Sequence, residues 1–267
     1  MLILRLIRKV SAFLVATNHT QTVGRHTRKT VTLKQHKRKI QKLMNPELTI
    51  ETLKKSAKEF CDIESSYLNT DLYGVTDGKA VGTYIEHKFK KYLIDHYTYE
   101  NGSSAKGVDL PGATIQTDIK VTSIRQPQSS SPFKDAKQKI FGLGYNLLVF
   151  VYDKVDDPST SSAKLDFVSC SYLDKERTAD YTTTFRIREM VKDGAIKEDI
   201  IAYLNDKNIP ADDIALGLIA DQILDKTPKQ GYLTISNALQ WRLQYARVVN
   251  LTDEVDGITK VVDKVTK

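Results

Sequence analysis

The chain has 267 residues, 40% of them hydrophobic and 27% charged, which is ordinary for a soluble globular protein and enough for one large domain or two small ones. Its two cysteines, Cys61 and Cys170, exclude a disulfide framework and have no Cys or His neighbour at metal-ligand spacing, so they read as reduced thiols of a cytoplasmic protein. The formal charge of +7 is concentrated in residues 1–43, which hold 11 basic and no acidic residues; the remainder carries 29 basic against 33 acidic, a net of −4, so bulk charge says nothing about nucleic acid there.

Residues 1–16 are apolar but interrupted by Arg5, Arg8 and Lys9. The stretch is too short and too charged to span a bilayer, and its charges sit where a signal peptide would be apolar. Three readings of residues 1–43 stay open: a basic DNA-contacting arm, an Arg-rich targeting segment, or an extension upstream of a natural start at Met44. A helix is expected from Asn45-Pro46 onward, with Leu48, Ile50, Leu53 and Phe60 as its apolar stripe. Residues 71–78 are a loop, and 79–97 a long helix with Val81, Ile85, Phe89, Tyr92 and Leu93 at helical spacing.

From Lys106 the period changes to two. Ile115, Ile119 and Val121 fall on one strand face, and Gln116, Asp118, Lys120 and Thr122 on the other. A polar loop, 125–131, leads to a helix opened by Ser131-Pro132 and running to about Phe141. The continuous apolar run 147–152 predicts a buried central strand, and 165–172 another. In the last third, 196–207, 210–226 and 235–249 all read as helices. The expected class is α/β, a mixed sheet flanked by helices with a helical C-terminal region. No segment is long and apolar enough to cross a membrane.

The chemistry centres on Asp109 and, after eight intervening residues, Asp118-Ile119-Lys120. Strand alternation puts the Asp118 carboxylate beside the Lys120 ammonium. Asp109, in Val108-Asp109-Leu110-Pro111-Gly112, reaches Asp118 if the chain returns as a hairpin. Two converging carboxylates repel and favour a divalent cation between them; magnesium suits them because it takes hard oxygen ligands and keeps waters. Phosphodiester hydrolysis follows: the metal lowers the pKa of a bound water and offsets phosphate charge, while Lys120 orients or deprotonates that water or stabilises developing charge. The bland alternatives are a solvated strand face with a cross-strand ion pair, and Asp109 as a turn residue before Pro111-Gly112.

Asp109…Asp118-x-Lys120 resembles the PD-(D/E)xK nuclease signature, and the strand–loop–helix–strand order over residues 79–173 looks like the restriction endonuclease core. The resemblance implies a type II-like enzyme that cuts duplex DNA with magnesium, as a homodimer. Val108 stands where the family has its proline, which weakens Asp109 more than Asp118 or Lys120. Members also contribute a carboxylate from the preceding helix, and Glu86 fits that place, four residues after a small Gly82 that permits close backbone approach. On this view residues 44–180 form the nuclease core and 181–267 a helical region with a DNA-recognition role.

The loop after the catalytic strand offers Ser123, Arg125 and Gln126 to phosphates and base edges, and Gln138 on the next helix reaches either the site or DNA. Residues 235–242 resemble a recognition helix presenting Asn237, Gln240 and Arg242, with a plain amphipathic core helix as the alternative. No Gly-rich phosphate loop, zinc cluster or Gly-x-Ser-x-Gly elbow is present, so ATP-driven cleavage is not expected. The expected function is a sequence-specific restriction endonuclease. The rivals are a structure-specific repair or resolvase-type nuclease, and a non-catalytic DNA-binding module on a degenerate nuclease core.

Overall fold

The computed structural model describes residues 45–100, 102, 107–236 and 240–265; the three readings of residues 1–43 fall outside them. Pro46–Lys267 forms one compact unit. Its first helix, α1 (Ile50–Ser66), begins a turn later than Asn45-Pro46 suggested, because Thr49 caps it reciprocally with Thr52. A two-residue strand, β1 (Leu68–Asn69), precedes α2 (Gly78–His96), which Asp77 caps by accepting the Lys79 N–H at 2.9 Å. The helices bury most of their predicted stripes, Leu53 and Phe60 on α1 and Val81, Ile85, Phe89 and Leu93 on α2; Ile50 and Tyr92 are half-buried, Leu48 is buried just ahead of α1, and Ala57 joins the α1 face.

Next come β2 (Thr117–Ser123), β3 (Gln128–Ser131), a single-turn α3 (Gln138–Phe141), β4 (Asn146–Asp157) and β5 (Ser162–Leu173). The helix expected over 132–141 thus shrinks to its last four residues. The C-terminal third contains α4 (Tyr181–Lys192), α5 (Lys197–Asp206), α6 (Asp213–Asp225), β6 (Thr234–Ser236), β7 (Trp241–Gln244), a short α7 (Ala246–Val249) and β8 (Ile258–Asp263). The expected helix at 235–249 is therefore two strands and one turn of helix. Ile235, Leu239 and Leu243 match a helical stripe, but Trp241, Leu243 and Tyr245 are buried while Arg242 and Gln244 are exposed, and that alternation belongs to a strand.

The main sheet has the order β1-β5-β4-β2, with β8 alongside the far end of β5. β4 and β5 run antiparallel, and β2 joins β4 in parallel from Thr117↔Asn146 to Ser123↔Tyr152. Because both faces of β4 are covered, its sequence is a continuous apolar run rather than an alternation. Leu148, Phe150 and Tyr152 pack with α1 and α2 in one core, where Phe60, Phe89, Phe150 and Phe167 form an edge-on aromatic cluster. Leu147, Val149 and Val151 face the other way, against Ile235, Trp241, Leu243 and Tyr245 of a smaller antiparallel sheet, β3-β7-β6. A third core joins α3 to α4, α5 and α6. The mixed α/β sheet flanked by helices is the architecture the resemblance implies. Among the described residues no helix is long and apolar enough to cross a membrane, and both cysteines are buried and unbridged.

Candidate active site

β2 is an edge strand, bonded to β4 on one side only. Alternation turns Ile119 and Val121 toward the α1–α2 core and sends Asp118 and Lys120 to the side of Leu147 and Val149, their register partners. There the Lys120 Nζ lies 2.7 Å from Asp118 Oδ2, with the side chains only 19% and 8% exposed. The shared face is the expected one, but it is withdrawn from water rather than solvated.

Asp109 arrives by the hairpin-like return that the spacing required. Leu110 and Thr117 exchange both backbone hydrogen bonds at 3.0 Å, around a turn closed by Ile115 N–H and Gln116 N–H on Gly112 O. The free outer edge of β2 leaves the Ile119 N–H without a strand partner, and Asp109 Oδ2 accepts it at 2.9 Å. Val108 in place of proline does not disturb this: it packs at the margin of the second core. Gly102 supports Asp109 from behind, donating to its carbonyl at 3.0 Å. A Cβ at residue 102 would stand 2.6 Å from that carbonyl oxygen and 2.3 Å from that of Val108, so only glycine fits the approach. The Asp109 and Asp118 carboxylates are near enough to bear on each other's charge.

α2 supplies the other half. Gly82 lets it lie close on β2, where a Cβ would be 3.3 Å from the Val121 carbonyl oxygen. One turn apart on the same face, Glu86 and Lys90 point toward Asp109. The Lys90 Nζ is 2.7 Å from Glu86 Oε1 and 2.5 Å from Asp109 Oδ1. Glu86 therefore reaches the site through Lys90. Sequence reasoning missed Lys90, although its i+4 spacing from Glu86 was a usable signal.

Three carboxylates and two ammonium groups thus meet at one sheet edge, and their protonation follows from who faces whom. Burial alone would raise Asp109, but the Lys90 bond, the contact with Asp118 and the Ile119 N–H together hold it below the usual carboxylate range. Asp118 is buried more deeply and faces Asp109; burial and that like charge outweigh the opposing pull of Lys120, and its pKa is pushed up to about 6. Lys120 stays charged: Asp118 overcomes the lowering effect of burial and raises it. The Tyr145 and Tyr245 hydroxyls are close enough to bear on Lys120. They are tied down by Ser131 at 2.7 Å and Ser129 at 2.5 Å respectively.

Among the described residues no three His, Cys, Asp or Glu side chains are placed to hold one metal ion together; the carboxylate centre is a pair, with Glu86 one lysine removed. A pair fits magnesium, which takes one or two carboxylates and keeps waters for its other positions. The raised pKa of Asp118 marks the same point: without a cation, the two carboxylates are relieved by a proton, and a divalent ion relieves them better.

The residues expected to contact DNA scatter. Ser123 ends β2 and accepts the Arg125 N–H at 3.2 Å, with Arg125 and Gln126 exposed in the tight turn that follows. Gln240 and Arg242 are exposed, Arg242 on a strand rather than a helix, and Asn237 lies outside the described residues. Gln138 is 6% exposed. Its Oε1 accepts from Trp241 Nε1 at 3.0 Å and from the Lys134 N–H at 3.1 Å, and its Nε2 donates to the Leu143 carbonyl at 3.0 Å. Its amide is used up inside the protein, so it reaches neither DNA nor the acidic pair.

The model of the family "Type II restriction enzyme NspV" matches residues 47–260. The type II restriction enzyme NspV of a Nostoc species is 54% identical over 214 residues, covering 80% of this chain and 96% of that protein. No solved structure matches the chain. With the family model spanning most of the compact unit and both Asp109 and the Asp118–Lys120 strand inside it, the chain belongs to the NspV family of type II restriction enzymes.

Proposed function

We propose that this chain is a magnesium-dependent endonuclease that hydrolyses phosphodiester bonds of duplex DNA at a specific sequence. The observation that carries the reading is the convergence of Asp109, whose Oδ2 accepts the Ile119 N–H at 2.9 Å, on the strand where Lys120 stands 2.7 Å from Asp118. Magnesium held by the two carboxylates supplies Lewis-acid activation of water and neutralisation of phosphate charge. Asp109 is fixed for that task by the Ile119 N–H, and Asp118 by its own strand. Lys120, kept charged by Asp118, donates to the attacking water or to a phosphoryl oxygen. Lys90 positions Asp109 and links it to Glu86.

Ser123 at the end of the catalytic strand, and Arg125 and Gln126 directly after it, contact the backbone of the bound duplex. The enzyme acts in the cytoplasm without ATP and as a homodimer, which gives each DNA strand its own active site. Exposed Ile214 and Leu218, one turn apart on α6, support self-association.

Plasmid DNA incubated with magnesium and either wild type or Asp118→Ala tests the reading. Discrete fragments that disappear with the variant are expected. Cleavage confined to branched or mismatched DNA, or DNA binding with no cleavage in magnesium or manganese, would overturn it.

A further inference from the structure

The β3-β7-β6 sheet buries one face and turns the other outward. Its register puts Ser130, Arg242 and Ser236 in one cross-strand row and Gln128, Gln244 and Thr234 in the next. The opposite face, with Trp241, Leu243 and Ile235, is buried in the second core. The outward rows hold hydrogen-bonding side chains and one cation, and no carboxylate, in a body where acidic residues outnumber basic ones 33 to 29. The long Arg242 and Gln244 stand on the central strand, flanked mostly by short Ser and Thr, so the face is a ridge. The Arg242 guanidinium makes no hydrogen bond, ion pair or ring stack with any described residue, whereas Arg247 stacks on Tyr181 at 3.7 Å.

From this we infer that Arg242 and Gln244 read base edges in the major groove, and that the β3-β7-β6 face determines the sequence at which the enzyme cuts. The inference rests on the endonuclease reading and assigns its specificity. A ridge one strand wide enters a groove about 12 Å across. Side chains two residues apart on a strand are about 6.8 Å apart, roughly two base-pair steps of about 3.4 Å. Arginine pairs bidentately with guanine O6 and N7, and glutamine with adenine N6 and N7. Serine and threonine on both sides make close approach possible without adding charge.

The face is also wired to the chemistry. β3 begins five residues after β2 ends. On the inner side, Ser129 holds the hydroxyl of Tyr245, which neighbours Lys120. Tyr245 directly follows β7, and its N–H bonds to the Pro127 carbonyl at 2.8 Å. A duplex read by Arg242 is thereby registered on the strand that carries Asp118 and Lys120.

The test uses the full chain. The wild-type cut site is defined by sequencing the ends of cleaved plasmid, and duplexes are made with each base pair of that site changed singly. Wild type, Arg242→Ala and Gln244→Ala are compared for cleavage in magnesium and for binding in calcium. Both residues are exposed, so unchanged melting temperatures are expected of the variants. Arg242→Ala should lose about 5- to 150-fold of its discrimination at one guanine position, and Gln244→Ala a similar factor at one adenine position, with preferences elsewhere kept. An equal loss against every duplex identifies phosphate contacts and overturns the inference; unchanged preferences at all positions overturn it as well. Should wild type cut nothing, the endonuclease reading fails by itself. Selection of a randomised duplex pool in calcium then judges the face: a base preference lost with Arg242 supports it, and no change in the selected sequence overturns it.

Discussion

Lys90 on α2 and Asp109 on the loop before β2 meet at 2.5 Å, through Nζ and Oδ1, and this pair fastens the helix to the acidic centre. The same ammonium is 2.7 Å from Glu86 Oε1, so one cation serves two carboxylates. Its pKa is raised, because those two partners outweigh the lowering effect of its burial. Removing it leaves Glu86 and Asp109 facing one another with no counter-charge.

Lys90→Met should therefore cost about 2 kcal/mol of stability in metal-free buffer, less than for a fully buried pair because the groups are 18–30% exposed. Saturating magnesium should recover most of that loss, since a divalent ion at Asp109 replaces the missing charge. Thermal melts of wild type and variant with EDTA and with magnesium measure this. An equal deficit in both buffers would mean that Lys90 acts only as packing.

Asp118 sets a pH dependence whose sign is opposite to the usual carboxylate. Its folded pKa of about 6 lies above its ordinary value of 3.8, so the folded state binds the proton more tightly than the unfolded one. Its contribution to stability is greatest at low pH and is lost as pH rises through about 4 to 6. A shift of that size corresponds to about 3 kcal/mol. In EDTA, Asp118→Asn should melt higher than wild type at pH 7.5, with the gap closing as pH falls toward 4. Magnesium binding by wild type, followed calorimetrically, should weaken below about pH 6 as protons compete. A variant that melts lower than wild type at every pH would contradict burial and the Asp109 charge as the origin of the shift.

Gln138 looked like a DNA contact and is a keystone of packing instead. It joins α3, Trp241 and the Leu143 carbonyl through an amide bonded at both its oxygen and its nitrogen. Gln138→Leu leaves the Trp241 N–H and the Leu143 carbonyl unanswered in a buried place, which should cost about 2–4 kcal/mol. Chemical denaturation measures the cost. The cut sequence of the surviving enzyme should be unchanged; altered sequence preference without lost stability would restore the DNA-contact reading.

These two residues mark what the amino-acid sequence could and could not say. Asp118 and Lys120 were legible because a strand face has a strict period of two and both fell on it. The Asp109 return was legible from Pro111-Gly112 and the spacing. Lys90 was hidden because a lysine on a helix is ordinarily solvated, and only the tertiary approach of α2 to Asp109 gives it a second partner beside Glu86. The strands at 234–244 were misread because Ile235, Leu239 and Leu243 also satisfy a four-residue period. The alternation Trp241-Arg242-Leu243-Gln244-Tyr245 carried the right answer, but over five residues, too few to outweigh the longer pattern. For Gln138, nothing local distinguishes a buried amide from an exposed one; the decisive partner, Trp241, is 103 residues away.

Gly82 offers a way to separate site geometry from stability. A Cβ there would be 3.3 Å from the Val121 carbonyl oxygen, tight but short of a clash, while replacing a mid-helix glycine by alanine favours the helix by about 1 kcal/mol. The two effects oppose, so Gly82→Ala should change stability by less than about 1 kcal/mol. The contact is relieved by moving α2 a few tenths of an ångström away from β2. That displacement is carried directly to Glu86 and Lys90, four and eight residues on, and thence to Asp109. Cleavage should drop about 10-fold while the melting temperature holds, because small displacements of positioning groups weigh heavily on rate. Gly82→Val, with a branched side chain aimed at a backbone carbonyl, should lose both. Gly82→Ala with unaltered cleavage would show that the α2–β2 distance does not set the position of Asp109, leaving the Ile119 N–H as the group that fixes it.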